Sequence, residues 1–136
     1  MAVRVLVDAG FLVALLSRED GHHAWAAAAS GELPLPWRTC DSVLSEAFHL
    51  LGPRGGGALA ALLRRGAVVS AFDLASEQER VLRLMAKYAG VPMSLADACL
   101  VRMTETSSEP VLAATDSDFR VYRRHGRQEI PLRMPS

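Results

Sequence analysis

Lysine is almost missing from this sequence: Lys87 is the only one, and all other fixed positive charge is arginine. Asparagine is absent and Ile130 is the sole isoleucine. That skew points to a GC-rich bacterial genome, which by itself accounts for arginine standing in place of lysine. An excess of charge is also lacking, since 15 basic residues balance 15 acidic ones. With no net charge there is no bulk electrostatic footprint for nucleic acid or for an anionic membrane. Cys40 and Cys99 are isolated cysteines with no C-x-x-C and no Cys/His cluster. They argue against a disulfide scaffold or a zinc site and fit a reducing cytosol. No apolar stretch is long enough to span a bilayer. The run Val5 to Leu16 behind Arg4 imitates a signal peptide, but Asp8 interrupts it and no small-residue cleavage pattern follows. The expectation is a cytoplasmic protein without membrane contact. Nucleophile motifs are missing as well: there is no G-x-S-x-G and no phosphate loop. Gly55-Gly56-Gly57 lacks the Lys-Ser/Thr of such a loop and reads as a flexible connector.

Half of the 136 residues are hydrophobic, enough to build a core in one domain covering residues 1–136. Strand and helix patterns alternate throughout. Val3–Asp8 reads as a strand, Phe11–Leu16 and His22–Ser30 as helices, and Leu35–Cys40 as a second strand. Asp41 reads as the N-cap of a helix running to Leu51, which Gly52-Pro53 ends; Ala58–Arg65 is a further helix. Ala67–Phe72 is a third strand. Ser76 and Glu79 have the S-x-x-E spacing of a capping box, followed by the stripe Val81, Leu82, Met85 and Tyr88. Ser94–Thr104 is a helix, Val111–Thr115 a strand, and Glu129–Leu132 a last short strand. Such alternation implies βαβ units and a mostly parallel sheet, hence an α/β sandwich.

Four carboxylates sit where apolar segments begin or end. Asp8 closes Val5-Leu6-Val7 and Asp116 follows Val111 to Thr115, the expected pattern for buried parallel strands that deliver an acid to the carboxyl edge of a sheet. Glu46 and Asp97 lie inside helical patterns. Each acid has a plainer reading. Asp8 could simply cap the following helix, and Asp116 could start a turn. Asp97 could close the box Ser94-x-x-Asp97, and Glu46 could be a solvated flank residue. Converging buried carboxylates repel unless a cation separates them, so a shared site would imply a divalent metal. Oxygen ligands without His or Cys suit Mg²⁺ or Mn²⁺. Asp73 also ends an apolar run but is better placed to cap the next helix, and His22-His23 read as solvated.

The four segments, in this order and spacing, resemble the PIN-domain nucleases, in particular the VapC-like toxins of type II toxin–antitoxin pairs. The matching stretches are Val5 to Leu16, Cys40 to Glu46, Met93 to Ala98 and Val111 to Phe119. Family members usually carry Ser, Thr or Asn soon after the first acid, where this chain has Ala9-Gly10. The resemblance implies an α/β/α sandwich with a central parallel sheet of strand order 3-2-1-4-5. In that order Asp8 and Asp116 stand on neighbouring strands and Asp73 at the far edge. It implies a Mg²⁺- or Mn²⁺-dependent endoribonuclease with Asp8, Glu46, Asp97 and Asp116 as catalytic and metal-binding residues, and leaves the part of Asp118 open. It further implies an RNA substrate, a small antitoxin partner and a homodimer. Substrate grip is expected from Arg120, Arg123, Arg124 and Arg127, although these could equally form an ordinary solvated face. A non-catalytic PIN-like binding module, or a PIN nuclease of RNA processing without an antitoxin, is the alternative. A phospho-acceptor receiver domain would need an acidic pair after the first strand and a lysine late in the chain, and neither is present.

Overall fold

Apolar runs too short for helices, Val5-Leu6-Val7 and Val111-Leu112-Ala113, make the two central strands. The computed structural model describes residues 3–136, so the first two positions of the expected domain lie outside it. Its elements are β1 (Arg4–Val7), α1 (Ala9–Leu16), α2 (His23–Ser30), β2 (Trp37–Thr39), α3 (Asp41–Arg64), β3 (Val68–Ser70), α4 (Leu74–Lys87), α5 (Leu95–Thr106) and β4 (Pro110–Ala113). A 3₁₀ turn (Ser117–Arg120) and three two-residue strands follow: β5 (Arg123–Arg124), β6 (Gln128–Glu129) and β7 (Leu132–Arg133). The main sheet has the order β3-β2-β1-β4-β7, and every pairing in it is parallel. With β7 as its fifth strand, this is the 3-2-1-4-5 order. Val5, Leu6 and Val7 are all buried, as a strand covered on both faces requires. β1 pairs with β4 from Arg4↔Pro110 to Val7↔Ala113, so Asp8 leaves the sheet level with Ala114 and one residue short of Thr115. The buried side chains form one connected cluster, with Phe11 packed edge-on to Trp25 and Trp37 at 5.8 and 5.3 Å between ring centres.

Several local expectations are corrected. Cys40, not Asp41, is the N-cap of α3, and the Asp41 carboxylate accepts from the Ser70 hydroxyl on β3 instead. Gly52, at φ 68°, breaks α3, but the helix resumes at once at Pro53 and continues through Gly55-Gly56-Gly57. Those glycines are therefore no flexible connector. A Cβ on Gly55 would stand 3.0 Å from Leu51 Cβ and one on Gly56 3.4 Å from the Phe48 ring, so they let the second segment approach the first. Asp73 caps α4 by accepting from Ala75 N at 3.2 Å; Ser76 bonds back to the Asp73 carbonyl, and Glu79 pairs with Arg83. The capping box thus starts one turn too late. Leu82, placed in the apolar stripe, is 48% exposed because only Val81 points fully inward. The expected strand Glu129–Leu132 splits. Gln128–Glu129 pairs with β5 in a hairpin, and Leu132–Arg133 joins the main sheet, with Pro131 O accepting from Leu112 N between them.

Candidate active site

Asp8 is built into the end of β1 by two backbone donors. Its Oδ1 accepts from Phe11 N at 2.7 Å as the N-cap of α1, and its Oδ2 accepts from Thr115 N at 3.3 Å across the sheet. Capping and facing the cavity are therefore compatible roles. The residue is only 5% exposed and has no cationic partner among the described residues. Burial pushes its pKa from 3.8 to about 7; the two N–H bonds oppose this, and the charges of Asp116 and Asp97 add to it.

Asp97 lies in the first turn of α5, whose N-cap Ser94 accepts from Asp97 N at 3.0 Å. Its Oδ2 receives the Tyr122 hydroxyl at 3.0 Å. Partial burial raises the Asp97 pKa, and the tyrosine bond counteracts the rise. Tyr122 is fully buried, edge-on to Tyr88 and Phe119, and its own pKa is driven up by burial and by Asp97. No sequence motif announced this contact, because the two residues are 25 apart and Tyr122 follows an irregular turn. Asp116 caps the 3₁₀ turn by accepting from Asp118 N at 2.9 Å and is exposed. Glu46 is exposed on the first segment of α3.

Asp8, Glu46, Asp97 and Asp116 line one cavity of about 230 Å³, together with Gly10 and Thr115. Asp118 is half-buried nearby and does not line it. A larger hollow of about 570 Å³, bordered by Phe119, Arg120, Glu129 and Ile130, contains none of the four acids. The smaller cavity is the candidate site, because the perturbed, convergent groups line it. The arginine rim is not found at that cavity. Arg123 Nη1 donates to the carbonyls of Arg120, Val121 and Tyr122 at 2.7, 3.2 and 3.1 Å, and Arg124 donates to Thr104 O. One nitrogen of each guanidinium is thus bound to backbone oxygens, and Arg124 Nε is buried without a partner among the described residues, whereas Arg120 and Arg127 are exposed. His23 bonds Ala14 O at 2.8 Å, tying α2 to α1, and His22 is exposed.

Among the described residues no three His, Cys, Asp or Glu side chains close on a single point at ligating distance. The donor chemistry nevertheless fits a hard divalent cation. The set is all carboxylate, Asp8 is buried beside like charges, and none of the four acids is in an ion pair among the described residues. Glu46 and Asp116, exposed at the mouth, have the freedom to close on such an ion.

The fold and the acid-lined cavity at the carboxyl edge of β1 and β4 define an open parallel α/β domain with a site at its switch point. The chain belongs to the PIN domain family, whose profile matches residues 5–124. Mycobacterium tuberculosis VapC20, described as a sarcin–ricin loop cleaving toxin, is similar in structure, with a TM-score of 0.77 at 24% identity. The match covers 86% of this chain and 93% of that one, and at such identity the likeness is one of fold. No curated protein matches the sequence. No helix among the described residues is long and apolar enough to cross a membrane.

Proposed function

We propose that this chain, acting as one domain over residues 1–136, is a Mg²⁺- or Mn²⁺-dependent endoribonuclease and the VapC-like toxin of a toxin–antitoxin pair. One observation carries the reading: four acids, one of them buried without a counter-charge, share the cavity at the sheet's switch point. Membership of the PIN family and the structural likeness to an RNA-cleaving toxin support it. Asp8 and Asp97 hold the ion, with Asp116 and Glu46 completing the acidic wall. A bound divalent ion supplies a polarised phosphoryl oxygen and a water acidic enough to attack at neutral pH. The two N–H donors on Asp8 aim its carboxylate, and the Tyr122 hydroxyl fixes the rotamer of Asp97. Ala96, Leu100 and Val43 line the apolar side of the cavity, where a drier wall strengthens every charge interaction. A homodimer in the cytoplasm, silenced by a small antitoxin, completes the proposal.

The test is cleavage of a structured RNA by the purified chain. Excess EDTA, Asp8→Asn and Asp97→Asn should each abolish it by several orders of magnitude while the far-UV circular dichroism stays unchanged. Undiminished cutting in EDTA, or by both variants, would remove the metal mechanism. Expression of the chain should arrest growth, and co-expression of the neighbouring reading frame should relieve the arrest; harmless expression refutes the toxin role and leaves the nuclease.

A further inference from the structure

The acidic cavity is almost devoid of side-chain hydrogen-bond donors. The four carboxylates accept and repel anions, and every other lining side chain except that of Thr115 is apolar or absent. Thr115 is half-buried, and its N–H bond to Asp8 Oδ2 pins it to the cavity wall. Its hydroxyl has no protein partner among the described residues. Gly10 makes room for that hydroxyl. A Cβ on Gly10 would stand 1.9 Å from Thr115 Oγ1 and 3.3 Å from Thr115 Cβ, so the hydroxyl in this position excludes any side chain at residue 10. Gly10 lies in the first turn of α1 without a left-handed backbone, so conformation does not demand glycine there. Glycine is also a poor helix former. Space for Thr115 is the remaining physical reason for it.

We infer that the Thr115 hydroxyl donates a hydrogen bond to a non-bridging oxygen of the phosphate bound in this cavity. The inference deepens the proposed phosphodiester chemistry and rests on it. A phosphate entering a ring of carboxylates needs a donor that does not compete for the cation, and a neutral hydroxyl held by the backbone is ready without rearrangement. Because Gly10 and Thr115 face one another across a gap too small for both side chains, the hydroxyl should be movable from one to the other.

The experiment compares wild type, Thr115→Val, Thr115→Ser, Thr115→Ala, Gly10→Ala and the double variant Gly10→Ser/Thr115→Ala. Melting temperature, calorimetric Mn²⁺ affinity, Mn²⁺-dependent binding of adenosine monophosphate and RNA cleavage are measured for each. Thr115→Val and Thr115→Ala should keep their melting temperature and Mn²⁺ affinity, whereas Gly10→Ala, whose Cβ displaces the Thr115 hydroxyl, should keep its Mn²⁺ affinity at a lower melting temperature. They should lose roughly tenfold in nucleotide affinity and about ten- to a hundredfold in kcat/KM. Thr115→Ser should stay within severalfold of wild type, and the double variant should recover most of what Thr115→Ala loses. Equal nucleotide binding by Thr115→Val and wild type, loss of Mn²⁺ affinity in Thr115→Val, or a double variant no better than Thr115→Ala would each overturn the contact. A wild type that cuts no RNA yet shows the nucleotide-affinity difference would refute the ribonuclease reading and uphold the contact.

Discussion

Replacing Asp8 by Asn in the metal-free protein separates the two demands placed on this residue. Asn is as good an N-cap as Asp, so the 2.7 Å bond from Phe11 N to Oδ1 survives. The amide nitrogen would then face the Thr115 N–H that now donates to Oδ2, a mismatch of about 1 kcal/mol. Against this stands the relief of a buried charge. Asp8 rises from 3.8 to about 7 on folding, so the native state holds its proton more tightly than the unfolded chain does. The stability from that proton is fully present below about pH 4 and is lost as pH rises through about 7. At about 1.4 kcal/mol for each pH unit, the whole loss is about 4 kcal/mol, with about 2.5 kcal/mol of it falling between about pH 5 and pH 8. The other carboxylates are common to both proteins, and because their repulsion of Asp8 is small beside its burial, most of their contribution cancels in the difference. Melting curves in EDTA should therefore show wild type losing ground to Asp8→Asn by roughly 10 °C between those pH values, with the variant at least as stable at the upper end. Adding Mn²⁺ at a hundredfold excess over its dissociation constant should return about 2.7 kcal/mol to wild type and less to the variant. Parallel pH profiles for the two proteins would show that Asp8 is not strained by its burial, and the case for a cation as its missing partner would fall.

Tyr122→Phe removes the hydroxyl from Asp97 Oδ2 and nothing else; Mn²⁺ affinity, read by calorimetry, should fall about tenfold, with about 1–2 kcal/mol lost from apo stability. An unchanged Mn²⁺ isotherm would make the tyrosine a packing residue only. Glu46→Gln alters an exposed side chain with no ion pair, so its melting temperature should match wild type within about 1 °C while RNA cleavage drops by about a hundredfold or more. Full cleavage by this variant would remove Glu46 from the site.

The parallel sheet was legible because its two central strands carry the short apolar runs Val5-Leu6-Val7 and Val111 to Ala113, with helical periods between the strands. Cap positions were harder to place. Asp41, Asp73 and Ser76 all have side chains that can cap, and choosing among them depends on tertiary partners such as Ser70 that no local window contains. The helical glycines Gly55 to Gly57 were misread for a similar reason: their use is the close approach of Leu51 and Phe48, a packing fact. The four acids could be grouped because strand ends and helix starts are visible in sequence. Tyr122, Thr115 and the inward turn of Arg123 and Arg124 were not, since each depends on contacts made around irregular backbone.

The bond from Thr115 N to Asp8 joins residues 107 apart in the chain. Asp8 precedes α5 in the chain, yet β4 beside it, the second backbone donor that orients it and Asp116 in the same cavity come only after α5. A growing chain shorter than this lacks Thr115 and Asp116 and so has no complete pocket. Contacts of such separation also form late in folding, because the loop must be closed before they reward it. On the ribonuclease reading proposed above, the site is thereby incomplete until the strands on both sides of β1 have been made, through the order of its strands alone.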